Sequence, residues 1–306
     1  MRVKKALFIV GLLGVSACSF AQDTTTASKN GWKYSVLTNL TLNLNSYSDN
    51  WAGSEFSAMS WGWQFNGTAE RQFTKMMFNK NTLKLAFGQT ALQEKNVSTG
   101  EKKWQKFKKS SDLIDFETVL RFTLNSYVDP FVGARVITQF SDSRVAGYDY
   151  SGNPLTITES FGAIRDLLKR DRVNWTARVG GAIRQSIDRN ELLPDSLKPN
   201  DKLTNDGGME FVTDFKANTK DNRISYISQI KAYEAMFSSS TEKYKGTKME
   251  DYWRYPDISW ENTLGVTLTK YIMLNVYAQL LYDREIDLDV RYRETVGLSL
   301  TYSFAN

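Results

Sequence analysis

The sequence predicts an all-β fold: a transmembrane, up-and-down antiparallel β-barrel of about twelve strands. Three observations carry that expectation. The chain opens with an export signal, its remainder is built of segments that alternate apolar and polar residues, and the connections between those segments alternate in length. The last segment shows the pattern best. Within Arg291 to Phe304, Val296, Leu298, Leu300, Tyr302 and Phe304 share one face, and Thr295, Gly297, Ser299, Thr301 and Ser303 share the other, because successive side chains of a strand point to opposite sides.

The N-terminal 21 residues read as a secretory signal. Arg2, Lys4 and Lys5 form a positive start, Ala6 to Val15 an apolar stretch, and Ser19-Phe20-Ala21 a small-x-small cleavage site before Gln22. Val15-Ser16-Ala17-Cys18 also fits a lipoprotein box, in which Cys18 would be lipidated. Residues 22–31 then form a short periplasmic lead to a barrel over 32–306.

Removing the signal changes the composition. It holds three of the 39 basic residues and none of the 34 acidic ones, which leaves 36 against 34, a net of +2. So small an excess gives no support to nucleic-acid binding. The single cysteine lies in the signal as well, so chain cleaved after Ala21 has neither a disulfide framework nor a thiolate metal site. Mean hydropathy is negative and no apolar run after the signal reaches the length of a membrane helix. A barrel predicts both facts, since only alternate residues need meet lipid.

The strands follow in order, outward residues first. Strand one sets Trp32, Tyr34, Val36, Leu40, Leu42 and Leu44 against Lys33, Ser35, Asn39, Thr41, Asn43 and Asn45. Strand two sets Met59, Trp61, Trp63, Phe65 and Ala69 against Ser60, Gly62, Gln64, Asn66, Thr68 and Glu70. Leu83, Leu85 and Phe87 mark the third; Ile114, Phe116, Leu120, Phe122 and Leu124 the fourth; Val132, Ala134, Val136 and Phe140 the fifth. The sixth, Leu155 to Leu167, alternates poorly. Trp175, Ala177, Val179 and Ile183 mark the seventh, and Met209, Phe211 and Phe215 the eighth. The ninth runs from Arg223 to Tyr233, with Ile224, Tyr226 and Ile230 outward and Ile227 out of phase. Trp260, Leu264, Val266 and Leu268 mark the tenth, and Ile272, Leu274, Val276, Ala278, Leu280 and Tyr282 the eleventh. The twelfth ends at Phe304.

Connection lengths agree. Thr74 to Met77, Ser126 to Pro130, Lys169 to Arg172, Asn218 to Asn222 and Thr269-Lys270 are short, whereas Ser46 to Ser54, Gln93 to Ser111, Ser141 to Asn153, Asp188 to Asn205 and Ser238 to Tyr255 are long and polar. Only the last outer connection, Arg284 to Asp289, is brief. Short turns at one rim and long loops at the other belong to an outer-membrane barrel with both termini in the periplasm. Closure places Trp32 and Tyr34 near Tyr302 and Phe304 as a periplasmic girdle, and Tyr282 and Tyr292 flank the opposite rim. The Gly-Gly pairs at 180–181 and 207–208 fall within strands, where close packing or curvature explains them better than a phosphate loop.

With these residues in view, the chain resembles uncharacterised outer-membrane β-barrel proteins of Bacteroidetes-type bacteria. The likeness rests on the exported N-terminus, Gly31-Trp32, Leu44-Asn45 followed by Asn50-Trp51, Trp61-Gly62-Trp63, and the terminal Leu300-Thr301-Tyr302-Ser303-Phe304. One departure is that Ala305 and Asn306 follow the aromatic. The resemblance implies the barrel and brings no activity or catalytic residues with it.

There is no histidine in 306 residues. Ser-His activation, histidine general acid-base catalysis and histidine metal ligation therefore cannot operate within the chain. An enzyme independent of histidine is left as a third reading, with neither cofactor nor metal expected.

Parity assigns a charged interior: Lys84, Asp115, Glu117, Arg121, Arg135, Arg178, Arg184, Glu210, Asp214, Lys216, Lys231, Glu261 and Arg293. Facing lipid, Arg or Lys would cost about 2–4 kcal/mol at the midplane, so their shared parity marks where water is. These groups either orient a small polar solute in a channel or brace the barrel through ion pairs. The leading expectation is a channel or binding protein for such a solute, and the alternative is a structural barrel that anchors a partner through its extracellular loops. Expected partners are outer-membrane lipid and lipopolysaccharide and the barrel-assembly machinery, with no nucleic acid. Lys95, Lys102, Lys103, Lys106, Lys108 and Lys109, interleaved with Trp104 and Phe107, form a basic loop that either meets lipopolysaccharide phosphates or is a solvated face. Asp149 to Asn153 has a faint look of a calcium turn but too few carboxylates.

Overall fold

Alternation puts one row of each strand's side chains inside and one outside, and the chain closes that arrangement into a ring. The computed structural model describes residues 31–47, 57–95, 101–124, 126–191, 200–241, 245–247 and 250–305; of 95, 191, 200 and 301–305 only the backbone is described. The signal segment lies outside the described residues. The strands are β1 (Lys33–Asn45), β2 (Ala58–Thr74), β3 (Met77–Lys95), β4 (Lys102–Trp104), β5 (Lys108–Phe122), β6 (Asp129–Thr138), β7 (Leu155–Arg170), β8 (Val173–Glu191), β9 (Asn200–Asn218), β10 (Ile224–Ser238), β11 (Asp257–Thr267), β12 (Ile272–Tyr282) and β13 (Arg291–Ala305). A single 3-10 turn, Tyr252–Arg254, sits between β10 and β11. Apart from β4, each strand pairs antiparallel with the next, and β13 returns to β1 from Ser35↔Ala305 to Thr41↔Ser299. The result is a closed barrel of twelve strands, as the sequence predicts. The small β4 hangs on the far end of β3, pairing Gln93 with Trp104.

Two connections expected to be long loops are partly strand. β3 runs to Lys95 and β5 starts at Lys108, so the stretch from Gln93 to Ser111 is largely an extended hairpin; β8 runs to Glu191 and β9 starts at Asn200, which shortens the stretch from Asp188 to Asn205. Both faces are polar in these extensions apart from Leu203, so the apolar alternation that reveals a strand is missing while the backbone ladder continues. β3, β8 and β9 reach 19 residues each, about 60 Å at the usual rise. The poorly alternating sixth segment is a strand with one bulge, where the register shifts between Asp166 and Leu168.

Curvature is concentrated where β7 to β10 lack side chains. Gly162 and Gly180 face each other in register, and a Cβ at Gly180 would stand 2.0 Å from the Phe161 carbonyl oxygen. At Gly208 it would stand 2.0 Å from the Glu234 oxygen. Only glycine permits so close an approach, as at the corners of small barrels.

The outside is apolar. Leu42, Leu44, Phe161, Val296, Leu298 and Leu300 are among many large side chains left exposed. Polar groups in this belt are partnered: Trp63 Nε1 donates to Thr38 Oγ1 at 3.0 Å, Trp175 to Thr213 at 2.7 Å, Trp260 to Ser228 at 3.0 Å, and the Tyr226 hydroxyl to Asn262 at 2.7 Å. Trp32 stacks on Tyr34 and meets Phe73 edge-on at the rim that carries the termini. The register sets Phe304 opposite Val36 and Tyr302 opposite Thr38, two and four residues further along β1 than Tyr34. The side chains of Tyr302 and Phe304 lie outside the described residues.

Candidate functional site

The inward side chains form layers from the terminus-bearing end towards the long connections. Nearest the short turns, Arg121 on β5 donates to Asp129 on β6 at 2.7 Å and to Asp166 on β7 at 2.9 Å. Asp129 also accepts the Leu124 N–H at 2.9 Å, which ties this layer to its turn. Val119, Phe131 and Ile164 form an apolar layer above it.

The next layer crosses the lumen. Arg135 grips Asp115 with two bonds of 2.8 Å. Arg178 on β8 donates to Glu117 on β5 and stands 3.6 Å from Glu210 on β9, while its guanidinium rests 5.6 Å over the Phe131 ring. Lys231 on β10 approaches Glu117 to 3.9 Å. Lys84 on β3 reaches Glu261 on β11 at 3.2 Å and Gln229 at 3.4 Å, and Gln229 in turn donates to Asp214. In the ring β3 and β11 are five strands apart one way and seven the other, as are β5 and β10. The pairs Lys84–Glu261 and Lys231–Glu117 therefore join opposite walls. The ion-paired side chains of this layer keep between 6% and 25% of their surface accessible, so they are largely withdrawn from water.

A third layer lies towards the long connections. Arg184 on β8 pairs with Asp257 and, at 3.4 Å, with Asp206; it stacks 4.2 Å over the Tyr233 ring. Trp253, from the turn between β10 and β11, is buried against Ala182, Tyr233 and Ala235 on the inner wall. Arg284 lies 4.0 Å over the ring of Tyr255 and 5.1 Å over that of Tyr252. Burial pushes the Glu285 carboxyl up, with the charges of Asp206, Asp283 and Asp257 adding to it against Arg184. Outside the barrel, Asp142 is fully buried in the connection between β6 and β7. Burial opposes its charge, but the Arg144 guanidinium and the Asn153 amide outweigh it and hold the carboxyl well below the usual range. Arg144 also binds Asp188 at 2.8 Å, which fixes this loop to β8.

Of the inward charges read from parity, Lys84, Asp115, Glu117, Arg121, Arg135, Arg178, Arg184, Glu210, Lys231 and Glu261 all enter ion pairs, and Asp214 is held by Gln229. Lys216 is exposed, and Arg293 donates to the Tyr277 hydroxyl at 3.3 Å. Parity reading missed Asp129, Asp166, Asp206, Asp257 and Tyr233. All five fall on the inward parity of their strands, but three sat at boundaries assigned to turns or loops. Trp253 has no periodic signal at all. In the basic loop, Lys109 is bound to Asp112 at 3.0 Å and Gln139 at 2.9 Å, while Trp104 and Phe107 are exposed. Asn153, in the stretch with the look of a calcium turn, gives its amide to Asp142 and Asp188, and no metal-binding group of three or more acids occurs among the described residues.

A family model described as "Protein of unknown function (DUF3078)" matches residues 42–143, about a third of the chain. No curated protein matches. Among solved structures, the chain is similar to the COG4313 outer membrane channel from Pseudomonas putida F1, with 13% identity over 93% of this chain and 100% of that one and a TM-score of 0.42. It is also similar to the translocator domain of autotransporter NalP from Neisseria meningitidis, with 9% identity, 91% and 90% coverage and a TM-score of 0.37. Likenesses this distant carry no weight on role; the closed twelve-strand ladder is this chain's own.

Proposed function

We propose that the chain is an outer-membrane β-barrel, not an enzyme, that binds a small polar solute at its long-connection end above a lumen braced by cross-barrel ion pairs. The apolar belt supports the membrane setting: so much exposed apolar surface needs a covering, and a closed ladder leaves no unpaired edge in lipid. Strands of 19 residues exceed the 9–11 needed to span a bilayer, so the barrel would rise beyond the membrane on the side opposite the termini, which lie in the periplasm. Lipopolysaccharide against the basic hairpin, passage through the assembly machinery and an origin in Bacteroidetes-type bacteria belong to the same proposal. A structural role as a loop-bearing anchor draws support from the tightly built loop around Asp142.

The observation that sets binding above open passage is the pair of bridges between opposite walls, Lys84–Glu261 and Lys231–Glu117. Groups that span the lumen obstruct ion flow. Wild-type protein in planar bilayers should give only small conductance, and Lys84→Met, Glu261→Gln and Lys231→Met combined should raise it severalfold while heat-modifiable migration persists. A large ohmic conductance of the wild type would overturn the proposal in favour of an open pore.

A further inference from the structure

The layer of charges nearest the long connections is unbalanced. Asp206 on β9 and Asp257 on β11 share one ion-paired cation, Arg184. Asp283 and Glu285, from the connection between β12 and β13, add two more carboxylates close enough for Asp206, Asp283 and Asp257 to be the chief charges acting on Glu285. Arg284, beside them, is stacked on Tyr252 and Tyr255.

Acids alone do not define a site; the buried atoms beside them point to a ligand. Tyr233 is 8% exposed and projects inward from β10 with its phenol among Asp206, Asp257 and Glu210, yet its hydroxyl has no partner. The Trp253 indole, equally buried and packed against Tyr233, leaves its N–H unpaired. Asp206 is 4% exposed; one carboxylate oxygen meets Arg184 while Oδ1 meets nothing. Buried polar atoms seldom remain unpaired in native proteins, so three together mark a place where water or a ligand bonds to them.

Those atoms specify its chemistry. Excess acid calls for positive charge, Asp206 Oδ1 calls for a donor, and the tyrosine hydroxyl and indole N–H call for an oxygen acceptor; the rings themselves already carry Arg184, Arg254 and Arg284 on their faces, so the ligand is specified by its polar groups. An inorganic cation would satisfy the charge and the oxygens but leave the indole N–H without an acceptor, and no metal-holding group of acids converges here among the described residues. We infer that this vestibule binds a small organic ammonium compound bearing an oxygen acceptor, the class of amino esters and amino alcohols. The inference rests on reading the barrel as a solute-binding protein.

Saturation-transfer NMR on the full-length barrel in detergent tests it, with glycine methyl ester as the probe and calcium chloride as competitor. Wild-type protein should transfer saturation to the ester. Affinity should fall at least about tenfold in Asp206→Asn with Glu285→Gln, the scale of losing a charge-assisted hydrogen bond. Calcium should compete only weakly. Transfer unchanged in that variant, or displacement by calcium at equal concentration, would overturn the inference. Heat-modifiable migration and bilayer conductance of the same samples separate the two proposals: a closed barrel without binding removes only this one, whereas a widely conducting wild type removes the reading beneath it. Tyr233→Phe, which deletes one oxygen and no charge, guards against a variant that fails to fold and should also weaken binding.

Discussion

Replacing Arg178 with leucine removes the cation between Glu117 and Glu210 and leaves two carboxylates inside the barrel. The three side chains are 7%, 15% and 10% exposed, so the remaining charges are poorly hydrated. Breaking such a buried pair costs about 3–5 kcal/mol. The loss should not fall equally on the two acids. Lys231 still stands 3.9 Å from Glu117, whereas Glu210 has no second basic partner within ion-pair distance among the described residues. Arg178→Leu combined with Glu210→Leu therefore leaves a balanced pair, Glu117 and Lys231, and should recover most of the stability, because apolar residues of similar volume often replace a buried pair at little cost. Urea unfolding in detergent, followed by the loss of heat-modifiable migration, measures both variants, and the single mutant Glu210→Leu closes the cycle. An Arg178→Leu protein that unfolds with the wild type, or losses that simply add, would refute a desolvated network and leave Arg178 as a wet, weakly coupled charge.

Two further outcomes test the wall. Gly208→Val should prevent assembly, since its Cβ would meet the Glu234 oxygen at 2.0 Å, whereas Gly62→Ala, whose Cβ meets nothing within 4 Å, should be silent; yield of heat-modifiable barrel in the membrane fraction distinguishes them, and equal yields would mean that the sheet is not creased there. Thr213→Val should destabilise by about 1–3 kcal/mol because it orphans the Trp175 N–H on the apolar face, and adding Trp175→Phe should restore much of that in the same urea assay, while an unaffected single variant would show the indole reaching water.

The ring of strands was legible because one physical rule, apolar outside and mostly polar inside, repeats with period two along most strands. It failed where the rule itself stops. Beyond the belt both faces of β3, β8 and β9 are polar apart from Leu203, so the extensions around Gln93 and Asp188 read as loops although their ladders continue. The same parity located ten interior charges that enter ion pairs, but it could not tell partners apart. Which arginine meets which acid depends on barrel closure, which brings Lys84 of β3 to Glu261 of β11 across 177 residues of chain. Asp257 lay two residues beyond the loop that ends at Tyr255, and Trp253 inside that loop, so the two sides of the vestibule fell where periodicity gives no information.

What separates the two charged layers is balance. At mid-height four cations, Lys84, Arg135, Arg178 and Lys231, stand with four acids, Asp115, Glu117, Glu210 and Glu261, and the fifth acid, Asp214, is held by the neutral Gln229. The four cations and their four acids form a mutually bonded set that tolerates removal of water, since each of these desolvated charges has an opposite one at hand. Towards the long connections Asp206, Asp257, Asp283 and Glu285 outnumber their ion-paired arginine, and buried donors beside them lack acceptors. A layer of that kind cannot stay dry and unoccupied at low cost. The mid-height charges therefore complete one another, whereas the groups of the vestibule are left to water or to the proposed ligand.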